Sequence, residues 1–561
     1  MDRLRSVPMA EGEVEVLIVG GGPVGLTARA LLERWGVRVL LVERHREPSP
    51  FPRARLVNVR SMEIYRGLGL AAGITARAFA PEYGRIRFRD TMRSRDFATA
   101  AMTGIDAPVA ESPVTGVVTS QDRLEPVLLA GARSPVRFGV ALAGLSIGDL
   151  PLAGLPLVGP PLGDLALGDL VLAGLSEEAD GGVAVVLHGP GRGERTRLRA
   201  RHVLAADGAN STVRRLLGIG VTGPGSMGGF TTVVFDADLR RWCAHQPAGV
   251  YFTAHGLFAP LYPEGGWAWF VPTPDDGPHA DWPALLSRAL GDVPADVVRV
   301  QHWESDAFVA ERFQHGRILL AGDAAHAMPI VGGLGMNTGI ADVHNLCWKL
   351  AGVLRGWAAP GLLETYEEER RPVACRTLRQ AVANTELMLD VQNRRRAQLR
   401  AGRAAPDHVE LPWSERYFAQ LGLVLGVTYR SGAVLADEGP APEPPGADYA
   451  PSAEPGRRMP HLWLARDRST LDAFGEWFTV LTPDPAAWAP QATPWPLRVE
   501  RLPAEHAASC GLSAYGAVLV RPDGHVAARW PGPPPAASTL LDALTALTGL
   551  DTRAVRRATP P

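Results

Sequence analysis

Residues 322 to 339, GDAAHAMPIVGGLGMNTG, set one acid, Asp323, ahead of a proline and a run of glycines. Glycines this dense strip side chains from places where backbone must lie against something flat or charged. Asp323 could accept from a ribityl hydroxyl. The GGLGMN turn could then lay bare amides against the pyrimidine edge of a flavin, where the helix TGIADVHNLCWKL begins. The same residues would also serve as a tight loop before a buried helix, with Asp323 as its cap. Far upstream stands a second candidate, GGGPVG, in which Gly20, Gly22 and Gly25 have GxGxxG spacing around Pro23 and Val24. It lies between the apolar run VEVLIV and the periodic stretch LTARALLERWG, so a strand, a turn and a helix are predicted. Such a turn admits a pyrophosphate close to backbone amides and the helix dipole. Glu43 closes the next apolar run, VRVLLVER, eighteen residues past Gly25. A carboxylate there accepts from both ribose hydroxyls and favours FAD or NAD over NADP. A plain glycine turn beside a surface glutamate is the alternative.

The rest of the chain must position these two stretches. Its 561 residues exceed one core, so two to four domains are expected. Hydrophobic residues at 46% and charged residues at 21% make an ordinary globular balance, and a net charge of −2 offers nothing to nucleic acid or an anionic membrane. Lys349 is the sole lysine, and Cys243, Cys347, Cys375 and Cys510 have no metal or CxxC spacing, so no metal site is expected. The opening residues carry no apolar signal core, and no apolar run approaches membrane-spanning length, so a cytoplasmic setting is expected.

Strand–glycine–helix–strand at the start predicts an α/β class with a βαβ unit. Residues 142–176 parse into seven five-residue units, LAGLS to LAGLS, which read as a surface loop expanded between two strands or as a short β-helix. Residues 181–206 predict a hairpin and a further strand, and 221–316 a sheet-rich middle domain. Helix concentrates in 338–402, and 435–460 reads as a linker. Beyond it WFTVLTPD and YGAVLVRPDGHVAARW predict strands of a small α/β domain without CxxC.

Six ordered stretches carry a resemblance: GGGPVG with Glu43-Arg44, PRARLVNVRSMEIYRGLGL, TSQDRLEPVLL, LAADGANSTVRRLLGI, GRILLAGDAAHAMPIVGGLGMNTGIADVHNLCWKL and LLETYEEERRPVA. Together they resemble the class A flavoprotein aromatic hydroxylases, the para-hydroxybenzoate hydroxylase-like group, and within it the aromatic polyketide and phenol hydroxylases. The resemblance implies a Rossmann-like FAD-binding domain from residues 1–80, 118–220 and 317–400, interrupted by the repeat. It implies a β-sheet substrate domain from 81–117 and 221–316, and a thioredoxin-like domain over 461–561. Gly20, Gly22, Pro23, Val24, Gly25 and Glu43 would hold the adenosine half of FAD, with Arg44 and Arg53 near adenine and pyrophosphate and Gln121 touching the cofactor. Asp207 and Gly208, with Arg214 in the same stretch, match a motif serving FAD and a transient NADPH site. Asp323 would bind ribityl, and the Pro329 carbonyl would face the hydroxylation centre. Gly333, Leu334, Gly335, Met336 and Asn337 would contact the flavin ring, although the family often has glycine where Met336 stands. The repeat is foreign to the family pattern.

The activity implied is hydroxylation of a phenolic or polycyclic, polyketide-type aromatic through a flavin C4a-hydroperoxide, consuming NADPH and O₂. A phenolate supplies its own push, so no protein nucleophile is needed, and His326 and His344 read as structural. The stretch YFTAHGLFAPLYPEGGWAWF offers Tyr251, Phe252, His255, Phe258, Tyr262, Trp267 and Trp269 as a flat aromatic lining; they would equally serve as sheet core. Trp267 and Trp269, two apart on a strand, would share a face. Baeyer–Villiger oxygenation of a polyketide ketone, a flavin-dependent halogenase (WAWFVP resembles its WxWxIP signature) and a non-catalytic FAD-binding protein are the rival readings. The partner expected is a small aromatic molecule, and self-association is left open.

Overall fold

The computed structural model describes residues 13–51, 53–147, 182–189, 195–291, 293–400, 409, 421–436, 449–490 and 493–550. Glu13–Val19 becomes a strand whose Val16, Leu17, Ile18 and Val19 are all buried, as a central parallel strand covered on both faces must be. It pairs in parallel with Arg195–Ala205 on one side and Val39–Glu43 on the other. Ile318–Leu320 and Val136–Phe138 extend the sheet, again in parallel. Because these strands share a direction, their carboxyl ends lie along one edge. Gly20, Glu43, Asp207 and Asp323 all follow or close such ends. In an open α/β sheet that edge is where ligands bind.

The second sheet runs, in order, His326–Ala327, Ala295–Ala310, Val221–Ala237, Gly265–Pro272, Gly256–Tyr262, Val250–Thr253, Arg85–Arg89 and Asp96–Ala101. Residues 326–327 thus join the second sheet, although they were expected with the first. The short tie is the antiparallel pairing of Val309 with His326 and Phe308 with Ala327. Helices Gly335–Arg355 and Glu364–Arg400 follow, close to the predicted helical region.

The C-terminal sheet orders Leu497–Arg501, Phe478–Thr482, Ala517–Val520 and Val526–Trp530. The first pair is parallel and the last two junctions are antiparallel, a thioredoxin-like arrangement closed by the helix Thr539–Thr548. The strand at Leu497–Arg501 went unread in the sequence, because its alternating charges look like surface.

Only the first repeat unit and Ile147 lie among the described residues, in the strand Ala141–Ile147; Ile147 is the cross-strand partner of Val183. The remainder of the repeat lies outside them. Part of the expected linker, residues 449–460, is packed rather than free. Met459 and Arg458 are buried, and the Arg458 guanidinium pairs with Glu63 of the helix Val59–Gly67.

The C-terminal sheet is anchored by buried charge. Glu369 accepts from Arg521 at 2.6 and 2.9 Å, Lys349 at 2.8 Å, Asn345 at 2.6 Å and Ser431 at 2.6 Å. Burial alone would raise the Glu369 pKa, but Arg521 and Lys349 outweigh it and hold the carboxyl below its ordinary range. A depressed carboxylate contributes stability above the unfolded-state pKa and loses it as pH falls through the folded-state value. Glu369→Gln strips the buried Lys349 of its counter-charge and leaves Arg521 to Asp523 alone, so we expect a loss of about 3–5 kcal/mol in urea unfolding at neutral pH. The penalty should shrink in acid; a variant as stable as the parent at neutral pH would contradict the anchoring role.

Candidate functional site

The loop after the first strand needs glycine for two separate reasons. Gly20 holds φ at +111°, and a Cβ there would meet the Ala206 carbonyl oxygen at 2.2 Å. The first loop is therefore seated on the backbone just before Asp207. Helix Pro23–Arg34 begins with Gly22 as its cap, no capping side chain and no acid in its first turn. Its leading amides consequently remain available to an anion. Glu43 sits beside the turn, where Oε2 accepts from the Gly21 amide at 2.7 Å and Oε1 from the His45 amide at 2.9 Å.

The second glycine stretch arrives against the same helix. A Cβ on Gly322 would lie 2.9 Å from Val24, and one on Gly339 would lie 2.6 Å from it. Gly333 takes φ of +63° with Leu56 closing on it, and the helix Gly335–Arg355 starts without a capping side chain or a first-turn acid. By contrast Asn58, Ser211 and Asp281 each cap their helices with a side chain. Two uncapped helix starts thus sit at one sheet edge, each favouring negative charge.

Asp323 is exposed along this cleft, yet protein crowds its carboxylate enough for burial to raise the pKa, against the opposing pull of His326 and Arg53. It has no hydrogen-bond partner among the described residues. Arg53 also faces Glu125, and Glu43 faces Glu125, so the upstream and downstream motifs share one electrostatic neighbourhood. Gln121 joins it, accepting weakly from the Ala54 amide at 3.3 Å and donating to Glu125 at 2.6 Å. Arg44 is exposed nearby in sequence, and Pro329 is buried in the loop leading to the second glycines. A carboxylate without a partner, bare amides and backbones that a Cβ would obstruct fit FAD at both of its ends.

Some expected ligands are already engaged by the protein. Asn337 accepts from the Asn58 amide at 2.9 Å and Ser61 at 2.7 Å, and donates to the Leu56 and Gly333 carbonyls at 2.9 and 2.8 Å. Its side chain is saturated and only its backbone is left for a ring. The Asp207 carboxylate accepts from Ser211 and from the Thr212 and Val213 amides, capping the helix Thr212–Leu216. Arg214 donates to the Ala324 carbonyl at 2.8 Å and bridges to the Asp323 loop.

Behind Asp323 lies a buried group that sequence reasoning did not single out. Asp342 accepts from the Gly322 amide at 3.1 Å, from Arg370 at 2.8 Å, and lies 2.6 Å from His326 Nε2. Its spacing from Asp323 does not follow a motif, so nothing in the sequence flagged it.

A hollow partly open to solvent abuts the second glycine loop. Ile330 to Leu334 form one side, Leu56, Asn58 and Val59 another, and Met102, Thr103 and Ile105 a third; Leu421 and Val424 also line it, and the strand residues Ile86, Val250, Phe252 and Leu257 form the floor. The aromatic lining expected from the sequence needs correction. Tyr251, Phe258, Trp267 and Trp269 belong to a core on the sheet's opposite face, with Trp282 and Leu286. Side chains alternate along a strand, so Phe252 and Leu257 face the hollow while Tyr251 and Phe258 turn away. Trp267 and Trp269 do share a face, with Trp269 donating to the His255 carbonyl at 2.7 Å. Tyr262 donates to Asp122 at 2.6 Å and lies under Arg123. Lys349, which a halogenase would need beside its tunnel, is buried against Glu369.

Two family models match this chain: an FAD binding domain over residues 13–143 and 172–381, and the aromatic-ring hydroxylase C-terminal domain over 452–550. The first leaves most of the repeat unmatched. Aklavinone 12-hydroxylase RdmE of Streptomyces purpurascens is 36% identical, over 93% of this chain and 96% of its own length. Tetracenomycin B2 monooxygenase-dioxygenase of Streptomyces olivaceus is 34% identical, over 92% and 95%. The crystal structure of the flavin-dependent monooxygenase PieE with FAD and substrate superposes with a TM-score of 0.83 at 30% identity, covering 97% of this chain and 100% of that one.

Asp323→Ala should lower the FAD retained through gel filtration several-fold, read as flavin absorbance per protein; full retention would remove Asp323 from the site. Glu125 gives a pH test. Burial first, then the Glu43 charge, pushes its pKa up to about 7 from 4.5. A raised carboxylate favours the protonated fold, so the flavin-free protein should lose stability as pH climbs from about 4.5 through 7, by roughly 3 kcal/mol at most. Glu125→Gln should flatten that slope in melting curves at pH 5 and 8; parallel slopes would exclude Glu125 as its source.

Proposed function

The chain belongs to the family of FAD-dependent aromatic-ring hydroxylases, and from that premise we propose that it hydroxylates a polycyclic, polyketide-type aromatic with NADPH as electron donor. It is an FAD-dependent monooxygenase, so one oxygen atom of O₂ enters the organic substrate and the other leaves as water, with two electrons from the nicotinamide. Bound FAD supplies the electron transfer and the O₂ activation. What remains for the protein is to bind, orient and keep water out.

Gly20, Gly22 and Gly25, with the first amides of helix Pro23–Arg34, would hold the pyrophosphate, and Glu43 the adenosine ribose. Asp323 would take the ribityl chain. The backbone of Gly333 to Asn337 would meet the ring, and the Pro329 carbonyl would face the reacting carbon. Asp207 and Gly208 would serve FAD and the transient nicotinamide, with Asp207 also holding its helix cap and Arg214 the bond to Ala324. Transient nicotinamide binding in the same region is part of the proposal.

The observation that carries the substrate reading is the hollow. Its described lining is mostly aliphatic and aromatic carbon, and it adjoins the loop expected to meet the flavin ring. Its described lining holds no carboxylate, histidine, lysine or cysteine, in keeping with a substrate that activates itself as a phenolate. No helix of the described residues is long and apolar enough to cross a membrane, and a cytoplasmic setting belongs to the same proposal.

Purified holoenzyme should oxidise NADPH faster with a phenolic polycycle present, and under ¹⁸O₂ the product should gain one labelled oxygen on an aromatic carbon. A labelled lactone or ester would instead assign Baeyer–Villiger chemistry. No label in any product, despite flavin reduction, would defeat the oxygenase assignment for that substrate class.

A further inference from the structure

The carbon wall of the hollow is broken by Asn58 and Thr103, which reach it from different segments. Asn58 opens the helix Val59–Gly67 and its Oδ1 accepts from the Ser61 amide at 2.9 Å. Its backbone N–H donates to Asn337 Oδ1 at 2.9 Å. Only the carbonyl oxygen of an asparagine can accept from an N–H, so the cap fixes which end of the side chain is which. The NH₂ must therefore be the free end, and it has no partner among the described residues. Thr103 lies in the turn between Met102 and Gly104, and its hydroxyl is likewise uncommitted there.

We infer that Asn58 Nδ2 and the Thr103 hydroxyl form a fixed donor pair that selects substrates bearing an oxygen acceptor, a quinone-type carbonyl, on the ring edge turned toward them. The inference rests on the hydroxylase reading and adds to it what the substrate must carry. The cap bond from Ser61 already holds the side chain, so little rotamer entropy is lost when it donates. In an apolar cavity a donor left unpaired is costly, so a ring without the oxygen is discriminated against. The pair acts as a specificity element: it orients the ring relative to the Ile330–Leu334 loop and takes no part in oxygen transfer.

The test uses holoenzyme and two probes with one skeleton, anthraquinone and anthracene, with binding read from perturbation of the flavin absorbance. The parent should bind anthraquinone at least tenfold more tightly than anthracene. Asn58→Asp retains an oxygen to cap Ser61 but turns the donor into a carboxylate, so it should weaken anthraquinone tenfold or more and leave anthracene and the ligand-free flavin spectrum unchanged. Thr103→Val should weaken anthraquinone several-fold. Equal affinity of the parent for both probes, no binding of anthraquinone, or an Asn58→Asp variant with parental affinity would each overturn the inference. So would an equal loss for both probes, which signals collapse of the wall, or a shifted ligand-free spectrum, which would show the donor facing the flavin. Oxygen incorporation by the parent is scored separately: if it persists while the probes fail, only the donor pair is wrong.

Discussion

The site exists because Val24 can lie against Gly322 and Gly339. A Cβ at either glycine would come within 3 Å of its side chain, closer than carbon atoms pack. That contact lets a turn formed at residue 20 and a loop formed three hundred residues later share one edge of the parallel sheet. Both helices that start there are left uncapped by side chains and free of first-turn acids. Two positive helix ends in one cleft leave unbonded amides, which would be a defect in an isolated fold. They make sense as a cradle for a long, anionic, two-ended molecule.

Holding that cradle requires support from behind, and much of it is ionic. Asp342 fixes the Gly322 amide and is itself fixed by Arg370 and His326, all buried. One residue along the same helix from Arg370, Glu369 binds Arg521 of the C-terminal sheet. The cation and anion pairs therefore run without a break in sequence from the glycine loop to a unit that carries no CxxC. Buried pairs add little net stability because desolvation offsets their attraction, but each has few acceptable geometries. Positional definition of the loop is what such an arrangement contributes.

How much of this could be read beforehand depended on whether a residue's role follows from its type and offset. The glycines did, since only glycine tolerates the Gly20 conformation and the close approach of helix to strand. So did the parallel pairing of the first two strands and the helices after residue 335. Roles set by partners distant in sequence did not. Asn337 looked like a flavin ligand, but its side chain is saturated by residues 56 to 61 and 333. Arg458 looked like linker, yet it reaches back to Glu63. Asp207 stands in a nucleotide motif while its carboxylate caps its own helix. The aromatic residues of 251 to 269 were chosen by chemical type; strand parity puts most of them on the wrong face, and parity was legible in the pattern YFTAHGLF.

Those misplaced aromatics still bear on the chemistry. Phe258 and Trp269 stack at 5.8 Å and Trp269 meets Trp282 edge-on at 6.4 Å, so the far face of the sheet is tiled by large rings. The face toward the hollow is mostly aliphatic, Ile86, Val250 and Leu257 with Phe252 the single ring among them, from the same or neighbouring strands. A sheet backed by close-packed rings flexes little, and oxygen transfer to one chosen carbon needs a wall that does not move. Bulk on one face and clearance on the other are thus a single solution: the large residues stiffen the floor, and their absence from the hollow leaves space for a substrate that brings its own rings.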